Sequence, residues 1–167
     1  MSPATLPLRP CVGIALLGRS GRLFAGQRVD NMADAWQMPQ GGIDKGELPR
    51  EAAMRELAEE TGLGPTHVEM LAEHPEWLDY DLPPELQGRI WGGRYRGQTQ
   101  RWFLLRMLAA DSAVRIDGHD SREFRCWDWL SQEQLMAKVV AFKRPVYARV
   151  LEEFGPWIQR DMQASTA

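Results

Sequence analysis

Between Gly41 and Leu63 the chain reads GGIDKGELPREAAMRELAEETGL, which sets Glu47, Glu56, Glu59 and Glu60 at fixed offsets around Arg55 and a pair of glycines. Pro49 stands where a first helical turn tolerates a missing N–H, and Gly62 where a helix commonly ends in a left-handed cap. The segment between them predicts a helix of about three and a half turns. At about 100° per residue, with Glu56 as zero, Glu59 falls at about 300° and Glu60 at about 40°, so three carboxylates share one stripe. Ala53, Leu57, Met54 and Ala58 occupy the arc from about 60° to 200°, the face expected to pack on a sheet. Ala52, at about 320°, is the only other residue within the acidic stripe, where its small side chain leaves room beside the carboxylates. The spacing predicts a helix with a core side and an acid side.

Like charges at i, i+3 and i+4 destabilise an isolated helix by about a few tenths of a kcal/mol per pair, and these lie near the negative C-terminal end. A bare E-x-x-E-E reads as a solvated face with Lys or Arg neighbours. The alternative is a hard cation: oxygen ligands without a supporting Cys or His cluster suit Mg²⁺ or Mn²⁺, which take a few carboxylates, several waters and substrate phosphate oxygens. Arg55, at about 260°, sits at the margin of the stripe and could reach back to the loop carrying Glu47. Its fork would hold a carboxylate through two charge-assisted hydrogen bonds and anchor the Gly-rich loop, with Glu51 at i−4 as the competing partner.

The rest of the chain bounds the setting. With 167 residues it has room for one domain with a real core and too little for two ordinary ones. The start, MSPATLPLRPCVG, lacks the pattern of a signal peptide, and no segment is long enough to span a bilayer, so a cytoplasmic protein is expected. Cys11 and Cys126 are the only cysteines; without metal-ligand spacing they are expected to be buried, reduced thiols. His67, His74 and His119 show no ligand spacing and receive no role. A net charge of -3 argues against DNA or generic nucleic-acid binding, so any polyanion must be held by a local patch. The closing MQASTA reads as a frayed tail, and a monomer is favoured.

CVGIALL (11–17) and RLFAGQR (22–28) flank Gly18-Arg19-Ser20-Gly21 as a hairpin. VEMLAEH (68–74), WLDYDL (77–82), QTQRWFLLRML (98–108) and EFRCWDWL (123–130) have strand composition. A helix is expected after Ser131 as its cap and another from Pro145 to about Phe154. Strands around a central amphipathic helix, with further helices late in the chain, predict an α/β fold with a mixed sheet between helical layers. The stretch from Pro83 to Gly97, with Arg89, Arg94 and Arg96, could be a substrate lid or a solvated loop.

Gly41, Glu47, Arg55, Glu56, Leu57, Glu59, Glu60, Gly62 and Leu63 fill every fixed position of the Nudix box, G-x5-E-x7-R-E-U-x-E-E-x-G-U with U aliphatic; a chance match has odds on the order of 10⁻⁷ or less. The resemblance implies the Nudix fold, an α/β/α sandwich. WQMPQGGIDKGE (36–47), WLDYDLP (77–83), GQTQRWF (97–103), EFRCWDWL (123–130) and VVAFKRPVY (139–147) resemble the bacterial RNA pyrophosphohydrolases, with dinucleoside polyphosphate hydrolases of the same branch as close relatives. The likeness covers residues 9 to 157, and the implied division is an N-terminal extension (1–8), the Nudix domain (9–158) and a C-terminal tail (159–167). Around residues 31 to 35 the chain carries two residues more than the family pattern, which weakens the alignment of Arg28.

What the resemblance implies can be placed residue by residue. Glu56, Glu59 and Glu60 would be divalent-metal ligands, with Glu56 also needed to activate water, while Glu123 matches a distal acid joining the site and the Gly41 carbonyl is a plausible further ligand. Glu47 and Arg55 would brace the loop. Arg9, Arg28, Tyr80, Gln98, Phe142 and Lys143 match positions that hold the polyphosphate or the first bases. Basic side chains neutralise phosphates, and an aromatic ring stacks a base for about 1–3 kcal/mol whatever the sequence. Phe142 and Tyr80 could equally be core aromatics. The implied activity is Mg²⁺-dependent hydrolysis (Mn²⁺ or another divalent cation serving as well) of a phosphoanhydride, on 5′-triphosphorylated RNA to leave a monophosphate end that initiates decay, or on diadenosine tetraphosphate or pentaphosphate to release ATP. A housecleaning nucleotide hydrolase and a noncatalytic Nudix-like binding module are the further alternatives.

Overall fold

The apolar run from Cys11 to Leu17 becomes the centre of strand β1 (Leu8–Leu17), buried from Cys11 onward, as a strand covered on both faces must be. The computed structural model describes residues 6–30, 35–118 and 122–166. β1 runs parallel to β7 (Gly97–Met107), paired from Leu8↔Gly97 to Leu17↔Arg106. Around this pair lie β2 (Leu23–Arg28), β3 (Trp36–Gln37), β4 (Gln40–Gly42), β5 (Val68–Glu73), β6 (Leu78–Asp81) and β8 (Phe124–Leu130). Among the described residues they form one eight-stranded sheet of order β3-β2-β1-β7-β5, with β4 on β1, β6 on β7 and β8 on β2. β1–β7 is parallel and the β2–β8 and β5–β7 pairs are antiparallel, so the sheet is mixed.

Side-chain alternation sends the central strands' residues to opposite faces. Val12, Ile14 and Leu16 join Phe103, Leu105 and Phe124 beneath α1 (Pro49–Thr61), which contributes Ala52, Ala53 and Leu57. Ala15 and Leu17 face the other way with Trp102 and Leu104, covered by α3 (Arg144–Thr166) through Tyr147, Val150, Phe154 and Ile158, and by Leu135 of α2 (Gln132–Lys138). This is the expected α/β/α sandwich. Ser131 caps α2, its side chain accepting from the Gln134 N–H at 3.2 Å.

The hairpin expectation is only partly met. β1 and β2 pair at Leu17↔Leu23 alone, because β4 occupies the same edge of β1 from Cys11 to Gly13. β2 instead pairs along its length with β8, from Leu23↔Leu130 to Arg28↔Phe124. α3 does not stop near Phe154: the helix continues to Thr166 through Pro156. Ile158 is fully buried, and Asp161 accepts two bonds of 2.8 Å from Arg106 of β7. These ties outweigh the stop signal of Gly155-Pro156. Cys11 is buried as expected, but Cys126 is exposed on β8; both are free thiols. His67 and His74 accept backbone N–H bonds through Nδ1 from Gly64 and Glu76, while His119 and the extra residues at 31–34 lie outside the described residues.

Gly13 is the tightest point of the central sheet: a Cβ there would stand 2.4 Å from the Trp102 ring. Trp102 is fully buried and donates its indole N–H to Gln100 at 3.0 Å, so it has no room to retreat. Gly13→Ala is expected to cost about 3 kcal/mol or more by overpacking, measured by urea denaturation.

Candidate active site

α1 is delimited as its sequence demands. Glu51 accepts the Leu48 N–H at 2.9 Å at the N-terminus, and Gly62 closes the other end at φ 75°, its N–H on the Ala58 carbonyl. Glu51 being occupied in this way, Arg55 turns to Glu47: Nε donates to Oε2 at 2.8 Å and Nη2 to Oε1 at 2.9 Å. Nη2 also donates to the Gly42 carbonyl at 2.7 Å, and Nη1 to Glu56 at 2.8 Å and Glu59 at 3.3 Å. One guanidinium thus joins the loop, the β4 end and two helix carboxylates. It holds the Glu47 carboxyl down to about 2.

The division of α1 into a core side and an acid side does not hold. Ala52 is fully buried in the core, while Ala58 is exposed. The buried arc therefore centres near Glu60, which is 7% exposed and accepts the Gln40 N–H at 3.2 Å. Glu56 lies over β4: a Cβ on Gly41 would come within 2.0 Å of its carboxyl carbon. Burial raises Glu56 to about 7, against the lowering pull of Arg55. Glu60 is pushed well above the ordinary carboxylate range by burial, then by the charges of Glu123 and Glu56.

Beside these acids, one end of the sheet pairing supplies further side chains. Arg9 and Gln98 are register partners in β1 and β7, and Tyr80 of β6 pairs with Gln98. Phe142 and Lys143 come from a 3-10 turn, Ala141–Lys143, leading into α3. The result is a cleft of about 440 Å³. It is lined by Gly41, Asp30, Glu56, Glu60 and Glu123 together with Arg9, Arg28, Tyr80, Gln98, Phe142 and Lys143. Tyr80 and Phe142 stand ring to ring at 5.6 Å, tilted by 41°; Tyr80 is also part of the core, whereas Phe142 only packs against it. Lys143 is 3% exposed, and burial, followed by the charge of Arg28, lowers its ammonium to about 7. Arg28 pairs with Asp30.

Glu59 is the sequence-predicted acid that stands apart: it does not line the cleft and is bound to Arg55. Among the described residues no three acids already converge at ligating distance, since Arg55 engages both Glu56 and Glu59. The residues nevertheless fit a hard divalent cation. Buried Glu60 is repelled by half-buried Glu56 and by Glu123, and such a carboxylate cluster is stabilised by positive charge. Sequence reasoning missed Ile90 and Trp91, which line the cleft from the 83–97 stretch, and Leu82 just before it. Trp91 carries the Arg9 guanidinium 5.6 Å from its ring centroid, and Leu86, Ile90 and Trp91 pack on the core. Two residues of the stretch, Ile90 and Trp91, thus form part of the cleft wall. An apolar I-W step inside an otherwise polar, Gly-rich loop was the available signal.

The NUDIX domain model matches residues 7–150. An RNA pyrophosphohydrolase of Cereibacter sphaeroides is 58% identical over 156 residues, 93% of this chain and 96% of that protein. One from Dinoroseobacter shibae is 50% identical over 155 residues, covering 93% and 96%. Among solved structures, a C. elegans Ap4A hydrolase binary complex matches with a TM-score of 0.65 over 89% of this chain and 99% of that one, at 17% identity, a likeness of fold. No helix among the described residues is long and apolar enough to cross a membrane.

Arg55→Lys retains the charge but not the fork. It is expected to lower stability by about 1–3 kcal/mol and kcat/KM by about tenfold or more, read by thermal denaturation and steady-state hydrolysis of a phosphoanhydride substrate. A second expectation concerns pH. Because the folded chain raises Glu56 from 4.5 to about 7, it binds that proton more tightly than the unfolded chain does. The stability this group confers is full below about pH 4.5 and is lost as pH rises through about 7. Metal-free protein should therefore show a lower Tm at pH 8 than at pH 5.5, with Glu56→Gln reducing the difference, part of which Glu60 sustains, and added Mg²⁺ raising Tm more at pH 8.

Proposed function

Since the chain belongs to the Nudix family, we propose that it acts as an RNA pyrophosphohydrolase, removing pyrophosphate, or phosphate in successive steps, from 5′-triphosphorylated RNA to leave a 5′-monophosphate and open the transcript to decay. The observation that carries this reading is the cleft, whose lining brings four acids, Asp30, Glu56, Glu60 and Glu123, together with three basic side chains, Arg9, Arg28 and Lys143. An all-acid site would repel a polyphosphate, and an all-basic one would leave nothing to hold a divalent ion. The curated relatives at 50–58% identity bear the same name. We assign the protein to the cytoplasm, where such RNA ends arise.

Glu56, Glu59, Glu60, Glu123 and the Gly41 carbonyl would hold Mg²⁺ or Mn²⁺, with Glu59 turning from Arg55 to do so. A divalent ion so bound neutralises phosphate oxygens and lowers the pKa of a coordinated water. Glu56 accepts the proton of the attacking water, and the oxygen displaces the leaving phosphate in line. Its near-neutral pKa suits that exchange. Arg9, Arg28 and Lys143 neutralise the polyphosphate chain, Gln98 offers its amide, and the Phe142 ring, backed by Tyr80, stacks the first bases. Arg55 and Glu47 keep the loop in register with the helix.

Equal concentrations of a short 5′-triphosphorylated RNA and diadenosine tetraphosphate, offered together with Mg²⁺, test the reading. We expect a higher kcat/KM for the RNA, with pyrophosphate or phosphate appearing. Preference for the dinucleotide with ATP release would replace the proposal with a dinucleoside polyphosphate hydrolase. Glu56→Gln should lower kcat by about 10²–10⁴-fold; hydrolysis at the wild-type rate would remove Glu56 from its role.

A further inference from the structure

Two cationic side chains of the cleft, Arg28 from the end of β2 and Lys143 from the turn before α3, converge on one neutral atom. Oε1 of Gln37 accepts from Lys143 Nζ at 3.0 Å and from Arg28 Nη1 at 3.5 Å. Gln37 lies in β3, opposite Gly26 of β2, and is 2% exposed. It does not line the cleft, so it reaches substrate only through the two cations. Its own Nε2 and the Nε of Arg28 are buried without a hydrogen-bond partner among the described residues. Leaving a buried donor unpaired costs about 1–3 kcal/mol, and the arrangement tolerates two such donors. The geometry thus spends the amide on presenting cations.

We propose that Gln37 is a positioning residue for polyanion binding, holding Lys143 and Arg28 toward the polyphosphate while adding no negative charge beside them. The neutral amide is the chemically apt choice. A carboxylate at this point would form ion pairs with the two side chains and cancel the charge a phosphate needs, whereas an apolar residue would leave the buried ammonium of Lys143 with no acceptor. Asp30 already takes one side of Arg28, so a second acid would leave little free charge on that wall. The inference rests on the polyphosphate reading of the cleft.

Gln37→Glu keeps the side-chain shape and tests charge; Gln37→Leu tests the hydrogen bonds. With the RNA or dinucleotide substrate that wild-type protein turns over, each is expected to raise KM about tenfold while kcat stays within about threefold, a split that marks lost ground-state binding. In a Lys143→Met background the same changes should add less than about twofold, since the cation they act through is gone. Binding of inorganic tripolyphosphate, followed by calorimetry, should weaken in parallel. This arm separates the two ideas: failure of wild-type protein to hydrolyse either substrate would overturn the proposed function, and tripolyphosphate affinity would still judge Gln37. Wild-type KM and tripolyphosphate affinity in Gln37→Glu, or effects of Gln37 and Lys143 substitutions that simply add, would overturn the inference. So would a fall in kcat at unchanged KM.

Discussion

The parallel pairing of β1 with β7 is the constraint on which the rest of the molecule depends. It runs the whole length of β1, with fully buried residues of the two strands packing on both faces, and it sets Arg9 level with Gln98 at one end. β4 then pairs with β1 across Cys11, Val12 and Gly13, and this carries Gly41 under the helix that bears Glu56. β6, paired with the same end of β7, brings Tyr80. The cleft is where elements attached separately to one strand pair run out of sheet. Its position follows from hydrogen-bond register more than from any local preference of the loops around it.

Arg55 does for charge what that strand pair does for backbone. Its five N–H donors meet Glu47, Gly42, Glu56 and Glu59, so a helix with clustered acids folds with part of its repulsion already compensated. The partner at i−4 is unavailable because Glu51 serves the helix N-terminus. A local competition, decided by a cap, thus settles a contact between loop and helix.

Much of this was legible in the sequence because the relevant signals are local. The helix limits at Pro49 and Gly62, the Ser131 cap and the strand runs each depend on neighbours a few residues away. The six residues implied for substrate binding by family likeness all line one cleft. Where the reading failed, the deciding partner was distant. Ala52 and Ala58 have the same side chain, and periodicity cannot tell which of them will meet the sheet; burial of Ala52 rotated the core arc onto Glu60. Gly155-Pro156 is a strong local stop, overruled by Asp161 reaching Arg106 of β7. The β1–β2 hairpin lost most of its pairing to β4, whose short Gly-rich sequence carries almost no strand signal. Gln37 and Trp91 act through long-range neighbours, Lys143 and Arg9, and nothing within their own segments announces it.

The Arg106–Asp161 tie also gives the late part of α3 a reach beyond its own packing. Met162 and Ile158 crowd the turn at Gly21, where a Cβ would meet the Met162 side chain, while Tyr147, earlier in the helix, accepts the Met38 N–H at 2.9 Å. The same helix therefore grips the β1–β2 turn at one end of the sheet and the residues leading into Gly41 at the other. One continuous helix thus links two connections that lie apart in sequence, and a substitution in its packing face bears on both.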